Sequence, residues 1–88
     1  MKINEVLRRI MADTKTTQKR LMEMLNSAFG ENTVKSQSII AERLKRDTLN
    51  FGTVVEMLSV MGYEIVIQPK STRGKRAVGS YVADNKDE

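Results

Sequence analysis

Residues 17–44, TQKRLMEMLNSAFGENTVKSQSIIAERL, decide the fold of this 88-residue chain. Apolar side chains recur every three to four residues on both sides of Gly30, which is the spacing of a helix face. The first half predicts a helix that begins after the capping hydroxyl of Thr17 and ends at Gly30. The predicted apolar stripe of this helix consists of Leu21, Leu25, Ala28 and Phe29.

The second half of the stretch predicts another short amphipathic helix. Ser36 is a suitable N-cap, and a helix that starts there turns Ile40 and Leu44 toward the core. The side chains on its opposite side are Ser38, Glu42, Lys45 and Arg46. Two short helices around a Gly-containing connection have the outline of a helix-turn-helix.

Helices are predicted on both sides of this pair. The first covers residues 3–12, with an apolar stripe of Ile3, Val6, Leu7, Ile10 and Met11. The last is capped by Asn50 and ended by Gly62, with an apolar stripe of Val54, Val55, Leu58 and Met61.

The β-branched segment 63–68 predicts a strand that Pro69 stops. A lone strand exposes unpaired backbone groups, so it needs a partner. Residues 76–83 can return as the second strand of a hairpin, or the same strand of a second copy can pair with it about a twofold axis, and both can hold in one dimer. The predicted dimer contacts are Tyr63, Ile65, Val66 and Ile67.

The predicted fold is therefore mainly α, with four helices followed by a C-terminal β-strand or hairpin. Residues 1–69 form the predicted helix-turn-helix domain with its strand. Residues 70–88 are predicted to contain a basic loop, a possible second strand and an acidic disordered tail.

The composition excludes several classes of function. The chain has no Cys and no His, which removes thiol nucleophiles, disulfides and the usual neutral-pH acid and base. We therefore predict no enzyme, no metal site and no cofactor. The charged N-terminal segment and the absence of a long apolar run predict a cytoplasmic protein without a membrane partner.

Positive charge is concentrated in two places, although the net charge is only +4. The first cluster is Lys35, Arg43, Lys45 and Arg46, and the second is Lys70, Arg73, Lys75 and Arg76. Such clusters favour a polyanion as partner, but a solvated basic face explains them equally well. The second cluster is interpreted as a hairpin loop, with a backbone-binding arm or a linker as alternatives.

The order and spacing of these residues across four helices resemble the phage repressor and Cro family of helix-turn-helix proteins, also called xenobiotic-response-element regulators. The matching residues are Thr17, Gln18, Leu21, Leu25, Ser36, Gln37, Ser38, Ile40, Asn50, Val54 and Leu58. The segment MGYEIVIQPK is similar to small phage and mobile-element members in which a strand follows the fourth helix. One departure is the connection, because ten residues separate Leu25 from Ser36 where the family usually has a turn of about 3 to 4 residues.

The resemblance implies that the second helix of the pair lies in the major groove of double-stranded DNA. The residues it assigns to base edges are Gln37, Ser38, Glu42 and Arg43. The residues it assigns to phosphates are Gln18, Lys19, Lys35, Ser36, Lys45, Arg46 and Asn50. Alternatives stay open for three of them, since Gln37 can extend the cap, Glu42 can pair with Arg46, and Arg43 can contact the backbone instead of guanine.

The implied function is a sequence-specific transcriptional regulator, a dimeric repressor of phage or mobile-element type. The alternative is a protein-binding module such as the antitoxin of a toxin-antitoxin pair, which would use its C-terminal region to hold a protein partner.

Overall fold

Four helices and a short antiparallel hairpin form the described part of the chain, as the sequence predicts. The computed structural model describes residues 1–70 and 81–83. The elements are α1 (Ile3–Asp13), α2 (Gln18–Phe29), α3 (Gln37–Lys45), α4 (Phe51–Val60), β1 (Ile65–Ile67) and β2 (Tyr81–Ala83). The predicted loop after residue 70, most of the second basic cluster and the predicted acidic tail lie outside the described residues.

The core is shared by all four helices. Its fully buried side chains include Leu7 of α1, Leu21 and Leu25 of α2, and Ile40 of α3. α4 contributes Val54 and Leu58, as predicted, and also Met57, which is fully buried. Burying this apolar surface is the main favourable term in the folding of so short a chain.

The predicted apolar stripe of α2 is wrong at its C-terminal end. Ala28 and Phe29 are exposed, and Phe29 keeps 45% of its surface accessible. Both residues lie in the last turn of α2, beyond Leu25, which is the last position of α2 that reaches the core. The helical period places Phe29 on the correct side, but no helix or strand of the described residues covers it there.

Side chains and backbone set the ends of the helices. The Thr17 hydroxyl accepts a hydrogen bond from the Arg20 amide at 3.1 Å, and the Asn50 side-chain oxygen accepts from the amides of Gly52 and Thr53 at 2.8 and 3.4 Å. Both predicted caps are therefore confirmed. After α4, Gly62 has a φ of +85°, a left-handed conformation that glycine adopts without a steric penalty.

The predicted hairpin is present, and its first strand is shorter than predicted. β1 pairs antiparallel with β2, with Ile65 opposite Ala83, Val66 opposite Val82 and Ile67 opposite Tyr81. β1 contains three residues, rather than the six that the sequence favours, and β2 contains the last three residues of the predicted second strand, whose residues 76–80 lie outside the described residues. Ile65 packs against the core, whereas Ile67 and Tyr81 are 57% and 69% exposed, so the outer end of the hairpin is not covered by the helices.

Within the described residues, no helix is both long enough and apolar enough to cross a membrane.

Candidate nucleic-acid interface

α3 has one buried side and one exposed polar side. Ile40 and Leu44 are buried, as predicted. Gln37, Ser38 and Glu42 are all exposed. Because the two buried side chains are one helical turn apart, they turn the polar set toward solvent.

The start of α3 differs from the prediction. Ser36 has the extended backbone of an N-cap residue, with φ of −153°, but its side chain makes no capping hydrogen bond. Its hydroxyl lies 2.7 Å from the hydroxyl of Ser38 instead. The first amides of α3 therefore have no side-chain cap, and two predicted DNA contacts are hydrogen-bonded to each other.

The connection between α2 and α3 has its own hydrogen bonds. α2 continues to Phe29, which leaves residues 30–36 between the helices. The Asn26 side chain donates to the carbonyl oxygen of Val34 at 3.0 Å and accepts from the Val34 amide at 2.8 Å. The Thr33 hydroxyl donates to the Gly30 carbonyl at 2.7 Å, and Val34 is 1% exposed. This segment is thus longer than a tight turn, but its backbone is fixed to α2.

The other end of α3 is held by α1. Arg8 Nη2 donates to the carbonyl oxygen of Leu44 at 2.6 Å, and Asn4 Nδ2 donates to the same oxygen at 3.2 Å. Just beyond α3, Lys2 Nζ lies 3.1 Å from an Asp47 carboxylate oxygen. The sequence did not reveal these contacts, since two of the three reach a backbone carbonyl, which leaves no side-chain pattern.

Most predicted phosphate contacts line two grooves beside α3. Gln18 and Lys45 line the first groove, together with Ala41 and Arg8. The second groove is lined by Ile39, Glu42, Arg43, Arg46, Leu49, Asn50 and Thr53. Lys19 and Lys35 are exposed and are not among the residues that line these grooves.

Among the described residues, the cations of α3 and its flanking segments form no ion pair with an acid. Within residues 1–70 and 81–83, the ion pairs are Lys2 with Asp47 and Arg20 with Glu23. The predicted alternative of a Glu42–Arg46 pair is absent from that part of the chain. The first basic cluster, which consists of Lys35, Arg43, Lys45 and Arg46, has no ion pair within the described residues, so like charges are concentrated on this side of the protein.

The predicted dimer contacts differ in accessibility. Tyr63 is 42% exposed and Ile67 is 57% exposed, while Ile65 and Val66 are half-buried. The predicted set does not include Tyr81 and Val82 of β2, which are 69% and 42% exposed. Tyr81 is opposite Ile67 in the hairpin, and Val82 lines a groove together with Tyr63. Alternation of apolar and polar residues along β2 could have identified its exposed side chains, but three residues are too few for that pattern to be recognised.

Comparisons of the chain with models of known protein families, with characterised proteins and with solved structures find no match.

Proposed function

We propose that this chain is a sequence-specific, double-stranded-DNA-binding regulator that uses α3 to read bases. It acts in the cytoplasm as a homodimeric repressor and neither catalyses a reaction nor holds a cofactor. The observation that carries the proposal is the exposed polar side of α3, which is flanked by cations that have no acidic partner in the described part of the chain. An α-helix of this kind fits the major groove of B-DNA.

The exposed residues of α3 match the chemistry of base edges. Gln37 can hold adenine with two hydrogen bonds, and Glu42 can accept from the amino group of cytosine. Ser38 can contact several bases once its hydroxyl exchanges the bond with Ser36 for a bond to DNA. Arg43 is half-buried in the second groove, so it serves either guanine or a phosphate.

Phosphate contacts would then come from both sides of α3. Gln18 and the first amides of α2 lie beside Lys45, and a helix N-terminus attracts an anion. Arg46 and Asn50 lie on the other side. The Asn50 oxygen is used by the cap of α4, which leaves its amino group to donate to a phosphate. Lys19, Lys35 and Ser36 complete the proposed set.

Replacing Gln37 with alanine should weaken binding to the preferred duplex by about 1 to 3 kcal/mol and change binding to a random duplex little. The reason is that Gln37 is assigned to a base and not to the backbone. The preferred duplex is selected from a randomised pool with the wild-type protein, and fluorescence anisotropy measures both affinities.

Ser27→Ala is the control, since it truncates an exposed polar side chain on α2, away from α3 and the hairpin, and should leave both affinities unchanged. Equal losses on both duplexes for Gln37→Ala would show that Gln37 does not read a base. If the selection yields no preferred duplex, the proposal of a sequence-specific regulator is contradicted.

The hairpin provides the surface for the proposed homodimer. Tyr63, Ile67, Tyr81 and Val82 are large apolar side chains exposed at the C-terminal end of the described chain. An exposed apolar patch of this kind on a small protein indicates a protein interface. A twofold dimer would place two copies of α3 on one face, about 34 Å apart if the half-sites are one turn of DNA apart.

A double variant, Ile67→Lys and Tyr81→Lys, should sediment as a monomer while wild-type protein sediments as a dimer. The two residues are directly opposite each other in the hairpin, so the change places two charges in the proposed interface without affecting the core. Phe29→Lys is the control, because it charges an exposed aromatic position on α2. If the double variant forms dimers as stable as those of the wild type, the dimer interface does not lie on the hairpin.

The same apolar surface is what favours the second candidate function, a protein-binding module such as an antitoxin. The two candidates differ in one measurable respect. A chain that is monomeric at high concentration and binds no duplex at low salt would favour the protein-binding module.

A further inference from the structure

We infer that side chains of the two neighbouring helices clamp α3 at both ends and so set how it is presented to DNA. Asn26 of α2 holds the segment before α3, and Arg8 and Asn4 of α1 hold its last turn. These are positioning residues, because they act through α3 and need not touch DNA. The consequence for DNA binding rests on the proposed function, whereas the clamp itself does not.

α3 needs external support because its own anchors are few. It has nine residues, about two and a half turns, and a helix of that length is marginal without tertiary contacts. Its buried side chains are Ile40 and Leu44, one turn apart on a single stripe. Ile39 packs against the core from the side of this stripe, so few side chains of α3 itself fix its orientation. The start of α3 adds no side-chain cap, because the Ser36 hydroxyl contacts Ser38.

The clamp before α3 has the geometry of a pair of backbone bonds. Asn26 both donates to and accepts from Val34, at 3.0 and 2.8 Å, as one residue does to another in an antiparallel ladder. Val34 is 1% exposed and stands two residues before Ser36. Two opposed hydrogen bonds and a buried side chain fix the direction in which the chain enters α3.

The clamp at the end of α3 satisfies a carbonyl that the helix itself cannot. The last carbonyl groups of a helix have no partner inside it and form the negative end of its dipole. Leu44 supplies one of them, and it receives the Arg8 guanidinium at 2.6 Å as well as the Asn4 amide. Hydrogen bonds from a charged donor are the stronger kind. α1 therefore holds the last turn of α3 in position.

The test compares Arg8→Met with Arg9→Met. Both variants remove one positive charge from adjacent exposed positions on α1, but Arg9 makes no hydrogen bond within the described residues. At a temperature where circular dichroism shows all variants folded, Arg8→Met should reduce the ratio of affinities for preferred and random duplex by about tenfold. Arg9→Met should leave that ratio unchanged, and Arg8→Lys should restore part of it.

Amide hydrogen exchange of the free protein tests the clamp without DNA. Arg8→Met and Asn26→Ala should speed exchange in α3 by about tenfold relative to α4, and Ser27→Ala, the control on α2, should not. A variant that merely destabilises the fold would speed exchange in every helix. The clamp would be overturned if α3 in Arg8→Met and Asn26→Ala exchanged at the wild-type rate, or if exchange rose equally in all helices.

The two measurements also separate the clamp from the proposed function. Faster exchange confined to α3 in a protein that has no preferred duplex would support the clamp and contradict the sequence-specific regulator. An unchanged affinity ratio in Arg8→Met, with wild-type exchange in α3, would overturn the clamp and leave the regulator standing.

Discussion

Replacing Ile40 with alanine is expected to lower the free energy of unfolding by about 2 to 5 kcal/mol. Ile40 is fully buried on the inner side of α3 and belongs to the core that α1, α2 and α4 share. The substitution removes apolar contacts and leaves a cavity that a small domain can fill only in part. Since native proteins are stable by about 5 to 15 kcal/mol in total, this one change removes a large share.

Urea unfolding followed by circular dichroism measures this loss directly. Phe29→Ala is the control, because it truncates an apolar side chain that is 45% exposed on α2, away from the proposed dimer surface, and should change stability by less than about 0.5 kcal/mol. A loss below about 1 kcal/mol for Ile40→Ala would contradict the packing of α3 described above. In that case the side of α3 assigned to DNA would also be in question.

The features that the sequence predicts are those in which a residue acts on its own neighbours in the chain. Thr17 and Asn50 cap helices because their side chains reach amides only two or three residues ahead. Ile40 and Leu44 were assigned to the core from helical period alone. Local patterns of this kind explain why the helix order, the caps of α2 and α4 and the exposed side of α3 could be predicted.

The features that the sequence does not predict join distant residues or involve the backbone. Arg8 is 36 residues from Leu44, and Asn26 is eight residues from Val34, and in both cases the partner is a main-chain group. Phe29 has the right period but lies past the end of the core. Met57 is fully buried but lies outside the predicted stripe, because the buried side of α4 is wider than that stripe.

The two parts of the candidate interface differ in the same way. Which residues of α3 face solvent follows from local periodicity, and so the candidate base contacts could be chosen from sequence. How α3 is held depends on contacts from α1 and α2, which only the folded chain brings together. The long connection, which made the direction of α3 hard to predict, is fixed by one asparagine side chain.

Binding to duplex DNA is expected to weaken by about 10⁴-fold when salt rises from about 50 to about 200 mM. The proposed phosphate contacts include four cations in each protomer, which are Lys19, Lys35, Lys45 and Arg46. Each neutralised phosphate releases counterions and contributes about −0.9 to the slope of log affinity against log salt, so a dimer reaches a slope of about −7. Anisotropy titrations on a random duplex measure this slope without knowledge of the operator.

Arg46→Gln should make that slope shallower by about 2 in the dimer, because one phosphate contact is lost from each protomer. Arg20→Gln is the control, since Arg20 is paired with Glu23 and lines a groove with Met24 and Val60, away from α3. If the slope becomes shallower by the same amount in both variants, the salt dependence reflects the net charge of the protein and not a defined phosphate contact at Arg46. A wild-type slope shallower than about −2 would contradict the proposed phosphate set and favour the protein-binding module, whose apolar surface on the hairpin needs no polyanion.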